Sequence, residues 1–272
     1  MSVPNIDLSD KRSIPQIGLG LWQIKDKQTF ENTFNGALEA GYRHFDTAQA
    51  YNNEHFLGEL WQKSGLKRED LFITTKIAVQ HFGYRRTKSS FKTSLNKLNM
   101  EYVDLLLLHF PIPILRKKSW KALEALLQSG KVKSIGVSNY TIKHLEKMKS
   151  YANVMPVVNQ VELHIFLQQP ELVKYCKNNN IMLEAYSPLA HAKSLDNHVV
   201  SDVAKKYHKT YAQVMLRWLI QQDLVVLPKS VTLSRIRENI DIFDFALDQD
   251  DLESLSRQDK NMRTCWSPVH IP

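Results

Sequence analysis

The amino-acid sequence predicts an α/β fold: a (β/α)8 TIM barrel with a short N-terminal β-hairpin and a C-terminal tail. A short apolar run followed by an amphipathic segment recurs eight times along the 272 residues. The runs are apolar almost throughout, as strands buried on both faces of a parallel sheet must be. A doubly wound sheet is the alternative, and it needs a G-x-G-x-x-G turn after its first strand. Here Gly18-Leu19-Gly20 is followed by Leu21, Trp22 and Gln23, so the third glycine is missing. Barrels of this kind commonly use about 250 residues as one unit. No Gly/Pro/Ser-rich linker divides the chain, and residues 1–272 read as a single domain.

Taken in order, Ile6–Leu8 and Ser13–Pro15 flank Asp10-Lys11 and read as the hairpin. Barrel strands are expected in Ile17–Leu21, Arg43–Phe45, Leu71–Thr75, Val103–Leu108, Ser134–Val137, Val157–Val161, Ile181–Ala185 and Leu224–Leu227. Between them apolar residues return at helical spacing. Phe30, Phe34, Ala37 and Leu38 form one such stripe, Phe91, Leu95 and Leu98 a second, and Trp120, Leu123 and Leu127 a third. Val214 and Trp218, alongside Met215 and Leu219, form a fourth. Pro170 suits the first turn of a helix, where its missing N–H costs nothing. Asp248 suits the cap of a last helix that carries Leu252 and Leu255.

Composition narrows the function classes. The chain is 43% hydrophobic and 24% charged, an ordinary globular balance. No apolar stretch approaches the roughly 20 residues that span a bilayer. Asp7 and Asp10 near the N-terminus, without an apolar core, do not make a secretory signal. Cys176 and Cys265 can form neither a disulfide framework nor a metal-spaced pair, so a reducing cytoplasm and no metal are expected. The net charge is +8, but the basic residues are dispersed and their clusters short. A nucleic-acid face or a membrane surface is therefore not expected, whereas a phosphorylated ligand remains open.

Chemistry in such a barrel gathers at the C-terminal ends of the strands. The second run ends in Asp46, the third in Lys76, the fourth in His109 and the fifth in Ser138-Asn139. The sixth ends in Asn159-Gln160, the seventh in Tyr186-Ser187 and the eighth in Pro228-Lys229-Ser230. Taken singly these are ordinary residues: a turn-forming Asp, a solvated Lys, a core His. An acid, a lysine and a histidine on three consecutive strand ends, all aimed at one mouth, are harder to dismiss.

These residues resemble the aldo-keto reductases. The motifs are Asp46-Thr-Ala-x-x-Tyr51, Thr75-Lys76, Leu108-His109-Phe110-Pro111, Gly136-Val-Ser-Asn139, Asn159-Gln160-Val-Glu162, Ala185-Tyr-Ser-Pro-Leu189 and Pro228-Lys-Ser230. The likeness runs from about Gly18 to about Asp259. The short connection after His109 is similar to the small microbial members, the 2,5-diketo-D-gluconate reductases among them. The resemblance implies an NADPH-dependent oxidoreductase that reduces aldehyde or ketone carbonyls, diketo-sugars or small aldehydes, to alcohols. It also implies a monomer.

The four central residues make chemical sense in those roles. Reducing a carbonyl requires hydride on carbon and a proton on the developing alkoxide. Tyr51 is the expected acid, although a free phenol, with pKa about 10, is reluctant at neutral pH. Lys76 is expected to favour its proton release, Asp46 to hold that ammonium, and His109 to orient the carbonyl oxygen. By the same resemblance Tyr186 stacks on the nicotinamide, while Ser138, Asn139 and Gln160 bond its carboxamide. Ser187 and Leu189 run beside the pyrophosphate. Lys229, Ser230 and Arg235 grip the 2′-phosphate, near the start of a short helix that favours anions. Glu238 and Asn239 lie near the adenine. The substrate pocket is expected to involve Trp22, Ala78 and Phe110.

Three positions depart from the family pattern. Phe110 and Ala78 stand where tryptophan is common, and Ala190-His191 replaces a glycine often found after Ser-Pro-Leu. Two other function classes compete. A nucleotide-binding regulatory subunit has no need of Tyr51 and Lys76 together. A Schiff-base enzyme would use Lys76 or Lys229 as nucleophile.

Overall fold

The computed structural model describes residues 3–192 and 197–272. Strands β1 (Asn5–Asp7) and β2 (Ser13–Pro15) form the antiparallel hairpin. The chain then alternates β3 (Leu19–Gly20), α1 (Lys27–Ala40), β4 (His44–Asp46), α2 (Glu54–Lys63), β5 (Phe72–Ile77) and α3 (Tyr84–Leu98). It continues with β6 (Val103–Leu108), α4 (Arg116–Gln128), β7 (Val132–Ser138), α5 (Ile142–Met148), β8 (Val158–Glu162) and α6 (Pro170–Asn178). The last elements are β9 (Met182–Tyr186), α7 (His198–Lys206), α8 (Tyr211–Ile220), β10 (Val225–Leu227), α9 (Leu233–Ile240) and α10 (Gln249–Ser256).

Strands β3 to β10 pair in parallel, each with its sequence neighbour, in one eight-stranded sheet. Backbone bonds from Gly18 N–H to the Val226 carbonyl (2.9 Å) and from Gly20 N–H to the Pro228 carbonyl (3.0 Å) bring the first strand against the last. Each strand feeds a helix that packs outside, and the expected barrel is the fold observed.

Alternation along the strands sorts side chains between two cores. Outward residues such as Phe45, Leu106, Val137 and Leu183 meet the helix stripes, including Phe30, Phe34 and Trp120. Inward residues Leu105, Leu107, Val158 and Val225 pack with Leu8 and Ile14, so the hairpin closes the bottom of the barrel. Each such buried side chain contributes about 1.5–3 kcal/mol. Inward positions nearer the mouth turn polar: His44, Asp46, Thr74, Lys76, Gln160 and Glu184 are all buried. Gly18 is needed there, since a Cβ on it would stand 2.5 Å from the His44 ring nitrogen.

Local sequence sets the helix ends. Asp26 accepts the Thr29 N–H at 2.7 Å to start α1, and Gly41, with φ of 102°, ends it. Pro170 opens α6, Thr210 and Gln213 box the start of α8, and Asp248 caps α10. No helix among the described residues is long and apolar enough to cross a membrane.

Candidate active site

Three strand ends and one turn converge. Asp46 closes β4, Lys76 lies near the end of β5, His109 follows β6, and Tyr51 sits in the turn 49–51 after β4. Lys76 is fully buried. Its ammonium donates to Asp46 Oδ1, to the Thr47 carbonyl (3.0 Å) and to Tyr51 Oη (3.2 Å). All three ammonium hydrogens thus have acceptors, which is what lets a cation remain buried. Burial opposes the charge, but Asp46 and Tyr51 outweigh it and hold the pKa above that of an ordinary lysine.

The Tyr51 phenol departs from the sequence expectation. Its pKa is raised, because burial penalises the phenolate more than Lys76 favours it, and Asp46 adds to the rise. The ammonium therefore offsets burial in part rather than producing a net acidic phenol. In the unliganded site Tyr51 keeps its proton at neutral pH, as a proton donor must. Burial, with Lys76 adding to it, pushes His109 down to about 3, so its imidazole is neutral. Its ring stands 5.8 Å from that of Tyr51, edge to face.

These groups open into a cavity of about 840 Å3. Asp46, Tyr51 and His109 line it, with Lys76 just behind. Ser138, Asn139, Gln160 and Tyr186 form another part of the wall and bond one another. Ser138 Oγ donates to the Gln160 carbonyl (2.9 Å), the Asn139 amide donates to Ser138 Oγ (3.0 Å), and Tyr186 Oη donates to Asn139 Oδ1 (2.8 Å). The Tyr186 ring is only half-buried. Ser187, Leu189 and Lys229 also line the cavity.

The turn after β9 explains one departure from the family pattern. Ser187, Ala190 and His191 take φ of 50°, 51° and 52°, the left-handed region where glycine is normally at ease. The backbone thus keeps a glycine-like shape without the glycine. His191 Nε2 lies 2.9 Å from Ser187 Oγ, which ties the turn together.

The other expected residues divide. Trp22 and Phe110 line the cavity, Trp22 edge to face with His191 at 5.8 Å. Ala78 does not: it is buried, with its N–H on Gln49 Oε1 at 3.0 Å, and the wall lies elsewhere. Ser230, Arg235, Glu238 and Asn239 lie past Lys229, outside the cavity lining. Ser230 Oγ accepts the Thr232 N–H (3.0 Å) at the entry to α9, and Arg235 is exposed. Glu238 accepts from Thr210 Oγ1 (2.6 Å), and Asn239 is buried.

The sequence names the C-terminal tail around Trp266 as a candidate part of the pocket but does not place it, and the structure sets it as a strap that completes the wall. Thr264, Cys265 and Trp266 line the cavity, with the Trp266 ring 6.5 Å from Phe110. Buried Glu162 holds that strap: its carboxylate accepts the Thr264 N–H and hydroxyl and the Cys265 N–H, and faces Arg263. Burial alone would raise this carboxyl, yet bonds from His164, Thr264 and Cys265 prevail and pull it to about 2. Glu162 stands in the Asn159-Gln160-Val-Glu162 motif and follows Gln160 by two residues on β8, so its inward phase was legible, but its contact with the tail was not.

Comparisons agree with this geometry. The sequence profile of the Aldo/keto reductase family matches residues 16–260. The glyoxal reductase of Bacillus subtilis (strain 168) is 41% identical over 266 residues, 98% of this chain and 96% of that one. The methylglyoxal reductase DkgA of Escherichia coli (strain K12) is 41% identical over 262 residues, 95% of this chain and 94% of that one. The Bombyx mori aldo-keto reductase solved in complex with NADP superposes with a TM-score of 0.92 at 32% identity, covering 97% of this chain and 95% of that one. The chain belongs to the aldo/keto reductase family.

Proposed function

We propose that this enzyme uses NADP(H) to reduce aldehyde or ketone carbonyls, small dicarbonyls and diketo-sugars among them, with Tyr51 as the general acid. The observation that carries the reading is the buried Asp46–Lys76–Tyr51 chain, delivered to the cavity beside a neutral histidine. The relatives named for glyoxal and methylglyoxal reduction, and the relative solved with NADP, support it.

The residues present fit the dinucleotide. Tyr186 offers a half-exposed ring for stacking, and Ser138, Asn139 and Gln160 offer amide and hydroxyl partners for a carboxamide. Ser187 and Leu189 line the path toward Lys229. Beyond it, Ser230 and exposed Arg235 flank the start of α9, a suitable seat for a phosphate, with Glu238 and Asn239 further along that helix. Bound there, the dinucleotide supplies the hydride. The protein's own part is to orient the carbonyl oxygen with the neutral His109 ring and to deliver the Tyr51 proton to it. Lys76 stabilises the charge left on the phenol, Asp46 holds Lys76 in place, and Trp22, Phe110 and Trp266 form an apolar wall around the substrate. Schiff-base chemistry at Lys76 fits poorly, because a nucleophilic amine must be neutral and this one is held charged.

Loss of NADPH absorbance with methylglyoxal, glyoxal and a diketo-sugar tests the reading. Tyr51→Phe should lower kcat by about 10²–10⁴ while leaving the NADPH dissociation constant within a few-fold. Wild-type turnover in that variant would remove Tyr51 as the acid, and no turnover of any carbonyl by the wild type would overturn the activity.

A further inference from the structure

A second carboxyl lies behind the site, and the roles assigned above do not use it. Glu184 on β9 is fully buried, two residues before Tyr186 and one side-chain layer deeper. Gln160 Nε2 donates to Glu184 Oε2 at 2.6 Å and to Asp46 Oδ2 at 2.8 Å. Both hydrogens of one amide are therefore bracketed between two carboxyls, which leaves the amide oxygen to accept from a ligand in the cavity.

We propose that Glu184 is a positioning residue for carbonyl reduction: it fixes the Gln160 amide with its oxygen toward the cavity, and its charge state governs the field on the Asp46–Lys76–Tyr51 chain. The inference rests on the function proposed above and adds to it a residue that touches neither substrate nor dinucleotide.

The neighbours of Glu184 favour its neutral form. From β4 come Asp46 and His44, from β5 Lys76, and from the turn after β4 Tyr51, while on β10 Val225 stands beside Glu184 in the register. Asp46 and Lys76 already cancel, so an ionised Glu184 would leave an unpaired negative charge in the barrel. Its Oε1 has no hydrogen-bond partner and lies 3.6 Å from His44 Nε2. A buried carboxylate oxygen without a donor is costly, whereas a carboxylic acid is not so penalised. Burial first, and Asp46 second, push the group up to about 8. Once ionised, Glu184 raises the pKa of Tyr51 further, which makes the phenol a weaker acid.

The test uses the full chain, NADPH and methylglyoxal. Wild-type kcat should fall through a limb near pH 8. Glu184→Gln imitates the neutral acid, so it should lack that limb and decline only where Tyr51 itself titrates. Glu184→Leu frees one hydrogen of the Gln160 amide. It should lower kcat at pH 6.5 at least tenfold and raise the NADPH dissociation constant, read from tryptophan quenching, several-fold, and Glu184→Gln should restore both. An infrared carboxylic-acid band present at pH 6.5 in the wild type and missing from Glu184→Gln reports the proton directly, without turnover or ligand. The proposal is overturned if that band is absent from the difference spectrum, if the Gln variant keeps the wild-type limb, or if the Leu variant matches wild type in kcat and NADPH affinity. A wild type that shows the band and binds NADPH normally yet reduces no carbonyl would instead overturn the proposed activity.

Discussion

A phenolate loses its hydration when buried, while an ammonium beside it restores part of that loss, and at Tyr51 the first effect is the larger. In the mechanism proposed above, the contribution of Lys76 is therefore differential: its charge matters most once the proton begins to leave Tyr51. At Arg235 the problem is one of surface charge. An exposed guanidinium near the start of α9 can offer a planar fork to a 2′-phosphate, and charge-assisted bonds of that kind are worth about 1.5–3 kcal/mol. Arg235→Ala should thus raise the NADPH dissociation constant about tenfold or more and leave that of NADH nearly unchanged. Equal loss for both would make Arg235 structural and reopen the cofactor preference. The site was readable at this scale wherever a polar residue ended an apolar run, as at Asp46, Lys76 and His109. Glu184 was hidden because it lies inside such a run, between Leu183 and Ala185, where only its inward phase distinguishes it. Ala78 is read from motif spacing alone, and its buried methyl group is not part of the cavity lining.

The strands were legible because burial on both faces leaves a continuous apolar signature, and all eight fall within about two residues of the expected runs. The C-terminal strap carries no such period. Residues 259–267 are irregular, and the central anchor that seats them is a carboxylate on another element, a contact about a hundred residues distant in sequence that no local pattern encodes. Glu162 accepts two N–H groups and a hydroxyl from the strap, and Lys260 and Met262 add backbone bonds to the Phe166 carbonyl. Further along, Arg116 bonds the Pro272 carbonyl at 2.8 Å and His144 the Ile271 carbonyl at 2.9 Å. Trp266 sits between these anchors, 84% exposed. Glu162→Ala removes the inner anchor and strands the partners it satisfied, a loss of about 3–5 kcal/mol where a buried ion pair is broken. The expected result is a lower unfolding midpoint, faster proteolysis near residue 264, and a larger rise in KM for bulky carbonyls than for methylglyoxal. Equal effects on both substrates would mean that the strap supports the fold without shaping the pocket.

At the scale of the molecule, the interior holds groups whose protonation opposes its stability from both sides. Burial pushes His44 and His109 down to about 3 each, whereas unfolded histidine titrates near 6.5. Between those values the unfolded chain binds more protons, so stability rises with pH and is lost as pH falls below 6.5. Each such group costs about 1.4 kcal/mol per pH unit on that side. Glu162, pulled to about 2, adds to the acid loss below the ordinary carboxylate range near 4.5. Glu184 has the opposite sign. Pushed up to about 8 from 4.5, it binds a proton in the folded state that the unfolded chain has released, so its contribution is lost as pH rises between those values. Glu54 and Asp104, also raised by burial, act in the same sense. Near pH 6.5 the histidine gain is exhausted while the Glu184 loss continues, so the slope must change sign there. The urea midpoint of the unliganded protein should accordingly be higher at pH 6.5 than at either pH 4 or pH 8, with roughly 2 kcal/mol lost on the alkaline side. In Glu184→Gln that alkaline loss should shrink to a few tenths, because no proton remains to be released at this position, while the acid arm stays. A wild-type midpoint that is level from pH 6.5 to pH 8 would show that Glu184 is already ionised in the folded barrel, and the polar layer behind the active site would then have to carry a net negative charge.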